Sequence, residues 1–380
     1  MRRLAFILIA VLAVRLAARL GFRIRFYEMW SGRIGHLAAN TECLLSEIEA
    51  GIQPKSLILA FHNGPLCNEA LGKMLARTLH VGPWRLVDRA NRLFRGWERF
   101  VAEPAQFDRD IYNLWERQAP KLSFAPEERN RGEHTLRQMG IPAGAKWVCL
   151  VVRDAAYLPG LEYHAYRDTK IEDYMEACQM LASRGYHVVR MGAKVSDPIP
   201  LTTPKIIDYA MGGMRSDFMD IYLGAHCAFC LTNSTGIDAI PAVFRRPLAY
   251  VNMVPLEYLG TFHNGSLAIW KHHWKDGKRM SVADIVASGA GLFERADQYA
   301  EAGIELRDNT PEEIRALAEE MADDVENPHA GITDIMRGEE SDNTKFWRAF
   351  PRSVSPYNNQ PLHGENRMRI GREFLRGYSG

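Results

Sequence analysis

The chain of 380 residues is longer than one hydrophobic core usually supports, so we expect two domains. Hydrophobic residues make up 47% and charged residues 24% of the chain, which excludes an intrinsically disordered protein. The formal net charge is +1, so the chain as a whole has no attraction for nucleic acid. Any binding of phosphate must therefore depend on local arginines.

The N-terminus combines basic residues with a short apolar run. Arg2 and Arg3 precede residues 4–14, and Arg15 and Arg19 follow them. These eleven residues are too few for a membrane span, which needs about 20. We predict that residues 1–20 are an interfacial segment on the cytoplasmic face of the inner membrane. A signal peptide and a buried first helix are the alternatives.

Residues 21–140 are expected to form a first α/β lobe. The pattern predicts a strand at 23–27, a glycine-bearing turn at 31–36, a helix at 37–49, a strand at 56–61 and a helix at 68–79. Aromatic and basic residues over 83–125 predict helices and loops that cover this lobe. We place the domain boundary in the polar stretch that runs from 126 to 144.

Residues 141–335 are expected to form a second lobe around a parallel sheet. Apolar runs predict strands at 146–153, 186–191, 204–209, 228–232 and 248–251, and helical spacing is found at 171–184, 217–225, 236–244 and 311–325. Continuous apolar strands that alternate with helices are typical of a parallel sheet covered on both faces. Residues 336–380 are expected to return to the first lobe as a closing helix.

The six cysteines lie mostly inside apolar runs. Cys227 and Cys230 form a CxxC motif, but a zinc site needs a second such pair and the sequence has none. We therefore expect buried cysteines in a reducing compartment rather than a metal or redox site.

A candidate phosphate-binding turn follows the strand that ends at Thr232. Asn233, Ser234, Thr235 and Gly236 are small or polar and precede a helix. Free N–H groups at a helix N-terminus attract phosphate, and ligands of open α/β sheets bind at the carboxyl ends of strands. A simple helix cap is the alternative, since the same residue types are preferred there.

Three arginines are expected at the same edge of the second sheet. Arg153 and Arg190 end predicted strands, and Arg167 lies in the loop before the next helix. A guanidinium group can bind a diphosphate through two parallel hydrogen bonds. An ordinary surface ion pair is the alternative for each of them.

The glycine turn of the first lobe holds the candidate base. Gly35 and His36 open the helix that follows the first strand, and Glu42 lies further along it. Gly35 is expected to contact the substrate. Histidine and carboxylate side chains can take a proton from a hydroxyl group, so His36 is the first candidate and Glu42 the second.

Two patterns favour other sites. Asp108-Arg109-Asp110 is a D-x-D motif, which binds a divalent metal ion in the single-domain GT-A sugar transferases. It does not end an apolar strand here, so we expect no metal site. His272 and His273 lie between Trp270 and Trp274 and could face a sugar, although adjacent histidines are usually incidental.

Several short motifs resemble a poorly characterised family of bacterial glycosyltransferases. They are residues 33–42 (RIGHLAANTE), 152–154, 166–168, 189–192, 207–209, 216–220, 234–236, 241–244, 361–365 and 369–371. Together they extend over residues 31 to 375, although each is short. Residues 260–274 depart from the family pattern, which leaves the acceptor open.

The resemblance implies a GT-B fold, in which two Rossmann-like lobes with parallel sheets face each other across a ligand cleft. It also implies transfer of a sugar from a nucleotide-sugar to a glycan or glycolipid in polysaccharide or lipopolysaccharide assembly. We expect Ser234, Thr235 and Gly236 to bind the diphosphate, the three arginines to replace a metal, and no cofactor. A nucleotide-sugar epimerase and a non-catalytic scaffold are the alternatives.

Overall fold

Two parallel β-sheets with helices on their faces form the framework of the molecule. The structure is a computed structural model, and it describes residues 2–156, 162–200, 203–260, 265–327, 342–366 and 368–378. The first unit contains α1 (Arg2–Arg19), β1 (Ile24–Met29), α2 (Ile34–Glu49), β2 (Leu57–His62), α3 (Glu69–Thr78), β3 (His80–Val81) and α4 (Arg85–Asn91). Its strands pair in parallel in the order β1-β2-β3, and Val101 adds a parallel bridge to Phe26.

The second unit is larger. Its first part contains α5 (Pro126–Gln138), β4 (Trp147–Val151), α6 (Met175–Ser183), β5 (His187–Met191), β6 (Ile206–Ile207), α7 (Asp217–His226), β7 (Phe229–Thr232), α8 (Ala239–Val243), β8 (Leu248–Met253) and β9 (Leu267–Trp270). Then come β10 (His272–Lys275), β11 (Lys278–Arg279), α9 (Val282–Ala287), α10 (Ala296–Glu301), β12 (Glu305–Arg307), α11 (Pro311–Glu326), α12 (Asp342–Ala349), β13 (Arg369–Ile370) and α13 (Arg372–Tyr378).

The main sheet of the second unit explains the apolar runs of the sequence. Its strands pair in parallel in the order β13-β9-β8-β7-β4-β5-β6, and every residue of β4, β5, β7 and β8 is buried. A sheet covered by helices on both faces has no solvent side, so its strands need apolar residues throughout. The predicted α/β class with parallel sheets in two lobes is confirmed.

The strand order defines where a ligand can enter. From β4 the chain moves to one side through β5 and β6, and it then returns to place β7 on the other side of β4. A crevice opens at such a switch point because the loops after the two strands diverge. Arg153 follows β4 and Asn233 follows β7, so the predicted phosphate residues lie at this point.

The two units share one continuous core. The Phe124 ring contacts the rings of Phe218, Tyr222 and Phe244, at centroid distances of 6.2, 5.3 and 5.5 Å. Two hydrogen bonds tie α3 to α7: Asn68 Nδ2 donates to the Asp217 carbonyl, and the Glu69 N–H donates to the Asp217 carboxylate. The cleft is thus closed on one side by packed helices.

The polar stretch at the expected domain boundary is a helix, α5, rather than a linker. Gly132 lies against Tyr222, where an added Cβ would meet ring atoms at 2.1 Å, and Arg77 of α3 forms an ion pair with Glu128. The helix therefore contacts both units. The other predicted boundary, between 335 and 336, lies outside the described residues.

The expected return of the C-terminus to the first unit is made by a loop and not by a closing helix. Asn113 Nδ2 donates to the Glu365 carbonyl at 2.8 Å, and the Glu365 N–H donates to Asn113 Oδ1 at 2.7 Å. The last helix, α13, instead packs on the second sheet, because Phe374 and Tyr378 contact the buried Trp270 ring.

The aromatic and histidine cluster at 270–274 does not line a cleft. Trp270 and His273 are fully buried, and His272 is hydrogen-bonded to Glu313. His272 and His273 therefore do not face a sugar, since both side chains are buried. Cys227 and Cys230 are buried and free, as predicted.

Helix α1 is apolar on both sides, since one narrow stripe is buried and the opposite face is apolar and exposed. Val11 and Val14 pack against Phe26, Leu59 and Phe61 of the first unit. Among the described residues, no helix has the length and apolarity that a membrane span requires.

Candidate active site

A buried asparagine joins the two loops at the switch point. Asn233 Oδ1 accepts a hydrogen bond from the Arg153 N–H at 2.9 Å, and Asn233 Nδ2 donates to the Arg167 carbonyl at 3.0 Å. It also donates to Thr169 Oγ1 at 3.3 Å. Both the oxygen and the nitrogen of this side-chain amide are hydrogen-bonded to other protein groups. We therefore assign Asn233 a structural role instead of the predicted contact with substrate.

Arginine side chains converge around the same loops. Burial, and then the charges of Arg167, Arg153 and Arg33, lower the pKa of His164 to about 4. His164 is therefore neutral near pH 7 and adds no charge of its own. Arg33 comes from the first unit and directly precedes α2, so cations from both units face one region. No strand end or helix start in the sequence marked Arg33 as a site residue.

Arg167 is held by a neighbour that leaves part of its hydrogen-bonding capacity unused. The Arg167 guanidinium donates to the Ser234 carbonyl, and its Nε is buried without a hydrogen-bond partner among the described residues. A donor that is already desolvated loses little on binding an anion, so this side chain suits a phosphate ligand. Arg153 differs, since its Nε lies 3.0 Å from Asp168 Oδ1 and its charge is paired with that carboxylate.

The turn from Ser234 to Gly236 is shaped by a buried carboxylate. Asp238 Oδ2 accepts hydrogen bonds from the Thr235 N–H at 2.8 Å and from Thr232 Oγ1 at 3.0 Å, and Ser234 has a φ of 64°. Burial raises the pKa of Asp238 to about 6. Thr235 Oγ1 is buried and has no partner among the described residues, so it is available to a ligand.

The structure corrects the reason for expecting phosphate at this turn. A three-residue 3-10 turn, Gly236–Asp238, and the five-residue helix α8 follow it. So short a helix has a weak dipole, and the Thr235 N–H is already bonded to Asp238. Side-chain hydroxyl groups and arginines, rather than a helix end, are the groups able to bind an anion here.

Arg190 and Glu42 have structural roles, in contrast to the prediction. Arg190 is 1% exposed, and its guanidinium donates to the Asp197 carbonyl and lies 3.4 Å from Asp208 Oδ2. Glu42 is 2% exposed, and its Oε1 lies 2.5 Å from Arg245 Nη2. Both charged groups are buried and paired with groups of opposite charge, as buried charges in proteins usually are. Their interactions are thus within the protein.

His36 is partly buried beside a carboxylate. His36 Nδ1 is 3.5 Å from Asp108 Oδ2, and the imidazole ring lies 5.2 Å from the Trp30 ring. Asp108 has a φ of 48°, and its N–H donates to Asn40 Oδ1 at 2.6 Å, which fixes the loop that carries it. In the sequence Asp108 is notable only as part of the D-x-D motif, and no local pattern indicates its pairing with His36.

The two carboxylates of the D-x-D motif have different surroundings. Asp110 is 4% exposed and accepts a hydrogen bond from the Trp115 N–H at 2.7 Å, whereas Asp108 faces His36. In the part of the chain that the structure describes, no group of three or more His, Cys, Asp or Glu side chains has metal-site geometry.

Two glycines bring the units into backbone contact beside these groups. A Cβ on Gly35 would lie 2.9 Å from Gly236 Cα and 3.0 Å from its carbonyl oxygen. On one side of this contact is a cavity of about 100 Å³ between the units, lined by Ile34, Cys67, Val152, Arg153, Lys194 and Thr235 among others. Ligand pockets usually measure about 300–1,000 Å³, so a whole nucleotide-sugar would extend beyond this space or require the units to separate.

The glycine contact leads to a prediction about stability. Gly35→Ala should destabilise the protein by about 1–3 kcal/mol, because the new methyl group meets backbone atoms that cannot rotate away. Helix propensity alone predicts the opposite sign, a gain of about 1 kcal/mol. Gly236→Ala is the matched control, since its Cβ would meet Gly35 N at an ordinary 3.4 Å. Urea unfolding of both variants measures the difference, and a Gly35→Ala variant more stable than the parent would contradict the close approach.

Comparisons with known proteins give distant likenesses. No protein-family model and no curated protein matches the chain. Among solved structures, it is similar to a family 9 glycosyl transferase from Veillonella parvula, at 12% identity and a TM-score of 0.43, over 79% of this chain and 97% of that one. It is also similar to E. coli ADP-heptose lps heptosyltransferase II, at 13% identity and a TM-score of 0.40, over 79% and 100% of the two chains.

A third similar structure is TibC, an iron-containing dodecameric glycosyltransferase from enterotoxigenic E. coli, at 12% identity and a TM-score of 0.39, over 79% of each chain. All three are glycosyltransferases, the class that the sequence motifs resemble. At this distance we base the assignment of function on the contacts of the chain's own residues.

Proposed function

We propose that the protein is a glycosyltransferase that moves a sugar from a nucleotide-sugar to a glycan or glycolipid acceptor. The observation that carries the proposal is the placement of Arg153 and Arg167 at the switch point, opposite the His36–Asp108 pair of the first unit. One side of the cleft thus offers cations for a diphosphate, and the other offers a base for a hydroxyl group.

The second unit would bind the donor. Arg153 and Arg167, with Arg33 from the first unit, would neutralise the diphosphate as the bond between the sugar and the phosphate oxygen breaks. The hydroxyl groups of Ser234 and Thr235 would donate hydrogen bonds to phosphate oxygens. Preorganised cations are effective here because the negative charge on the leaving group grows in the transition state.

The first unit would activate the acceptor. Asp108 beside Nδ1 would orient the imidazole, so that Nε2 of His36 accepts the proton of the acceptor hydroxyl. The acceptor oxygen would then form a bond to the sugar carbon while the nucleoside diphosphate leaves. We propose His36 as the base and Asp108 as its positioning residue, and we no longer propose Glu42.

The acceptor would be reached at the cytoplasmic face of the inner membrane. The exposed apolar face of α1 and the arginines around it support a peripheral contact with lipid. We also propose that donor binding needs no metal ion, since arginines supply the positive charge that a divalent ion gives in other transferases.

Calorimetry with UDP, GDP, CDP and ADP, in magnesium and in excess chelator, tests the donor site. We expect one nucleotide to bind with similar affinity in both conditions, and its sugar conjugate to transfer label to a bacterial lipid or glycan extract. A tenfold weaker affinity in chelator, about 1.4 kcal/mol, would point instead to a metal-bridged diphosphate.

The same assay separates the other functions. A changed sugar configuration without an acceptor would indicate an epimerase. Nucleotide binding without hydrolysis or transfer in any extract would indicate a binding scaffold. Failure of every nucleotide to bind would overturn the proposed function.

A further inference from the structure

We propose that the membrane-binding surface is composite: residues 84–97 form its second half, next to the exposed face of α1, and together they bind an anionic lipid bilayer. The inference rests on the proposed membrane contact of α1 and extends it to a second segment. The surface is defined by the exposed apolar residues Phe6, Leu8, Ile9, Leu12, Leu16, Leu86, Leu93 and Phe94.

The contacts of Arg15 place the two segments side by side. Arg15 Nη1 donates to Asn91 Oδ1 at 2.7 Å, and Nη2 donates to the Arg95 carbonyl at 2.5 Å. The guanidinium also lies 5.2 Å from the centre of the Phe94 ring. Arg15 therefore holds residues 91–95 against α1. It lies on α1 between the buried face and the exposed face of that helix.

Helical geometry makes the apolar surface continuous across this border. Successive residues of an α-helix are rotated by about 100°, so Leu8 and Leu12 lie on the same side of α1 as Arg15. Leu93 is 85% exposed, more than any other large apolar side chain described. An apolar side chain so exposed at the tip of a loop gains free energy on entering the acyl boundary of a bilayer.

The charges around this surface select an anionic partner. The chain has no acidic residue before Glu28, and Asp88 is buried against Arg92. The exposed basic residues of these segments are Arg19, Arg23, Arg85, Arg89, Arg95 and Arg99, and the exposed Glu98 offsets one of these charges. Basic residues near an anionic membrane are attracted to its surface, so apolar insertion and electrostatic attraction act together.

The surface also faces the end of the molecule where the cleft opens. Only residues 20–23 connect α1 to β1, so the helix must run back along the strand that follows it. The N-terminal end of α1 therefore lies at the carboxyl end of β1, which leads to Trp30 and His36. An acceptor anchored in the bound membrane would approach the base from this side.

Vesicle co-sedimentation of the full chain tests the composite surface. The vesicles are equal parts of phosphatidylcholine and phosphatidylglycerol, or phosphatidylcholine alone. Leu86→Glu/Leu93→Glu and Leu12→Glu/Leu16→Glu change only exposed side chains, and Met211→Glu is the control on the second unit. We expect each double variant to bind anionic vesicles at least about tenfold more weakly, equal to about 1.4 kcal/mol, and the control to bind like the parent.

Each outcome separates the hypotheses. Loss of binding in the α1 variant alone would overturn the role of residues 84–97 and leave α1 as the membrane contact. Unchanged binding in both variants would overturn the composite surface altogether. A concentration-dependent dimer that the variants abolish would identify a second copy of the chain as the partner instead. Nucleotide affinity, measured in the same samples without vesicles, reports separately on the proposed transferase.

Discussion

Replacing His36 by alanine should lower the rate of sugar transfer by about 10²–10⁴-fold, the range over which a general base accelerates such reactions. Nucleoside diphosphate affinity should stay at the parental value, because His36 lies on the first unit and the proposed phosphate groups lie mainly on the second. Turnover is measured with saturating donor and a lipid or glycan extract as acceptor, and affinity is measured by calorimetry.

Two variants make this prediction specific. Asp108→Asn should lower turnover by a smaller factor without changing donor affinity or melting temperature, since Asp108 lies 3.5 Å from His36 Nδ1 and is partly exposed. His134→Ala, on the exposed face of α5, is the control and should behave like the parent. Transfer by His36→Ala at the parental rate would show that the base is elsewhere.

Replacing Arg167 by alanine should weaken nucleoside diphosphate binding at least about tenfold. A hydrogen bond to a charged group contributes about 1.5–3 kcal/mol, and Arg167 also holds the Ser234 carbonyl, which shapes the turn. The corresponding nucleoside lacks the phosphates, so its affinity should change little. Calorimetry with both ligands measures the difference.

A structural role for Arg167 would give a different pattern. In that case the melting temperature would fall while the affinity of the folded protein for the diphosphate stayed the same, and the phosphate assignment would be wrong. Arg315→Ala is a matched control, because Arg315 is an exposed arginine of α11 that pairs with Glu319. It should leave both the affinity and the melting temperature unchanged.

Local patterns determined much of the fold. The runs that predicted strands at 146–153, 186–191, 228–232 and 248–251 correspond to β4, β5, β7 and β8, since a strand buried on both faces must be apolar along its whole length. The same alternation indicated that the loops carrying Arg153 and Ser234 follow strands of one sheet. The order of elements along the chain therefore placed these residues at one edge of the sheet.

The partners of charged residues depended on the tertiary structure. Glu42 is neutralised by Arg245, which is 203 residues away in the sequence, and Arg190 is enclosed by the carboxylates of Asp154 and Asp208. Arginine and glutamate are found both in buried ion pairs and in clefts that bind a ligand, so the residue type alone does not tell the two apart. Only the packing of the two units distinguishes a structural charge from one that can meet a ligand.

The sequence by itself thus determined the α/β class, the main strands and the turn after β7, because these follow from periodicity within short stretches. Tertiary structure alone decided that Asp108 faces His36, that Gly35 meets Gly236, and that Arg15 joins α1 to residues 91–95. Each of these contacts joins residues far apart in the chain. These pairings follow from how the sheets and helices pack, and no local sequence pattern predicts that packing.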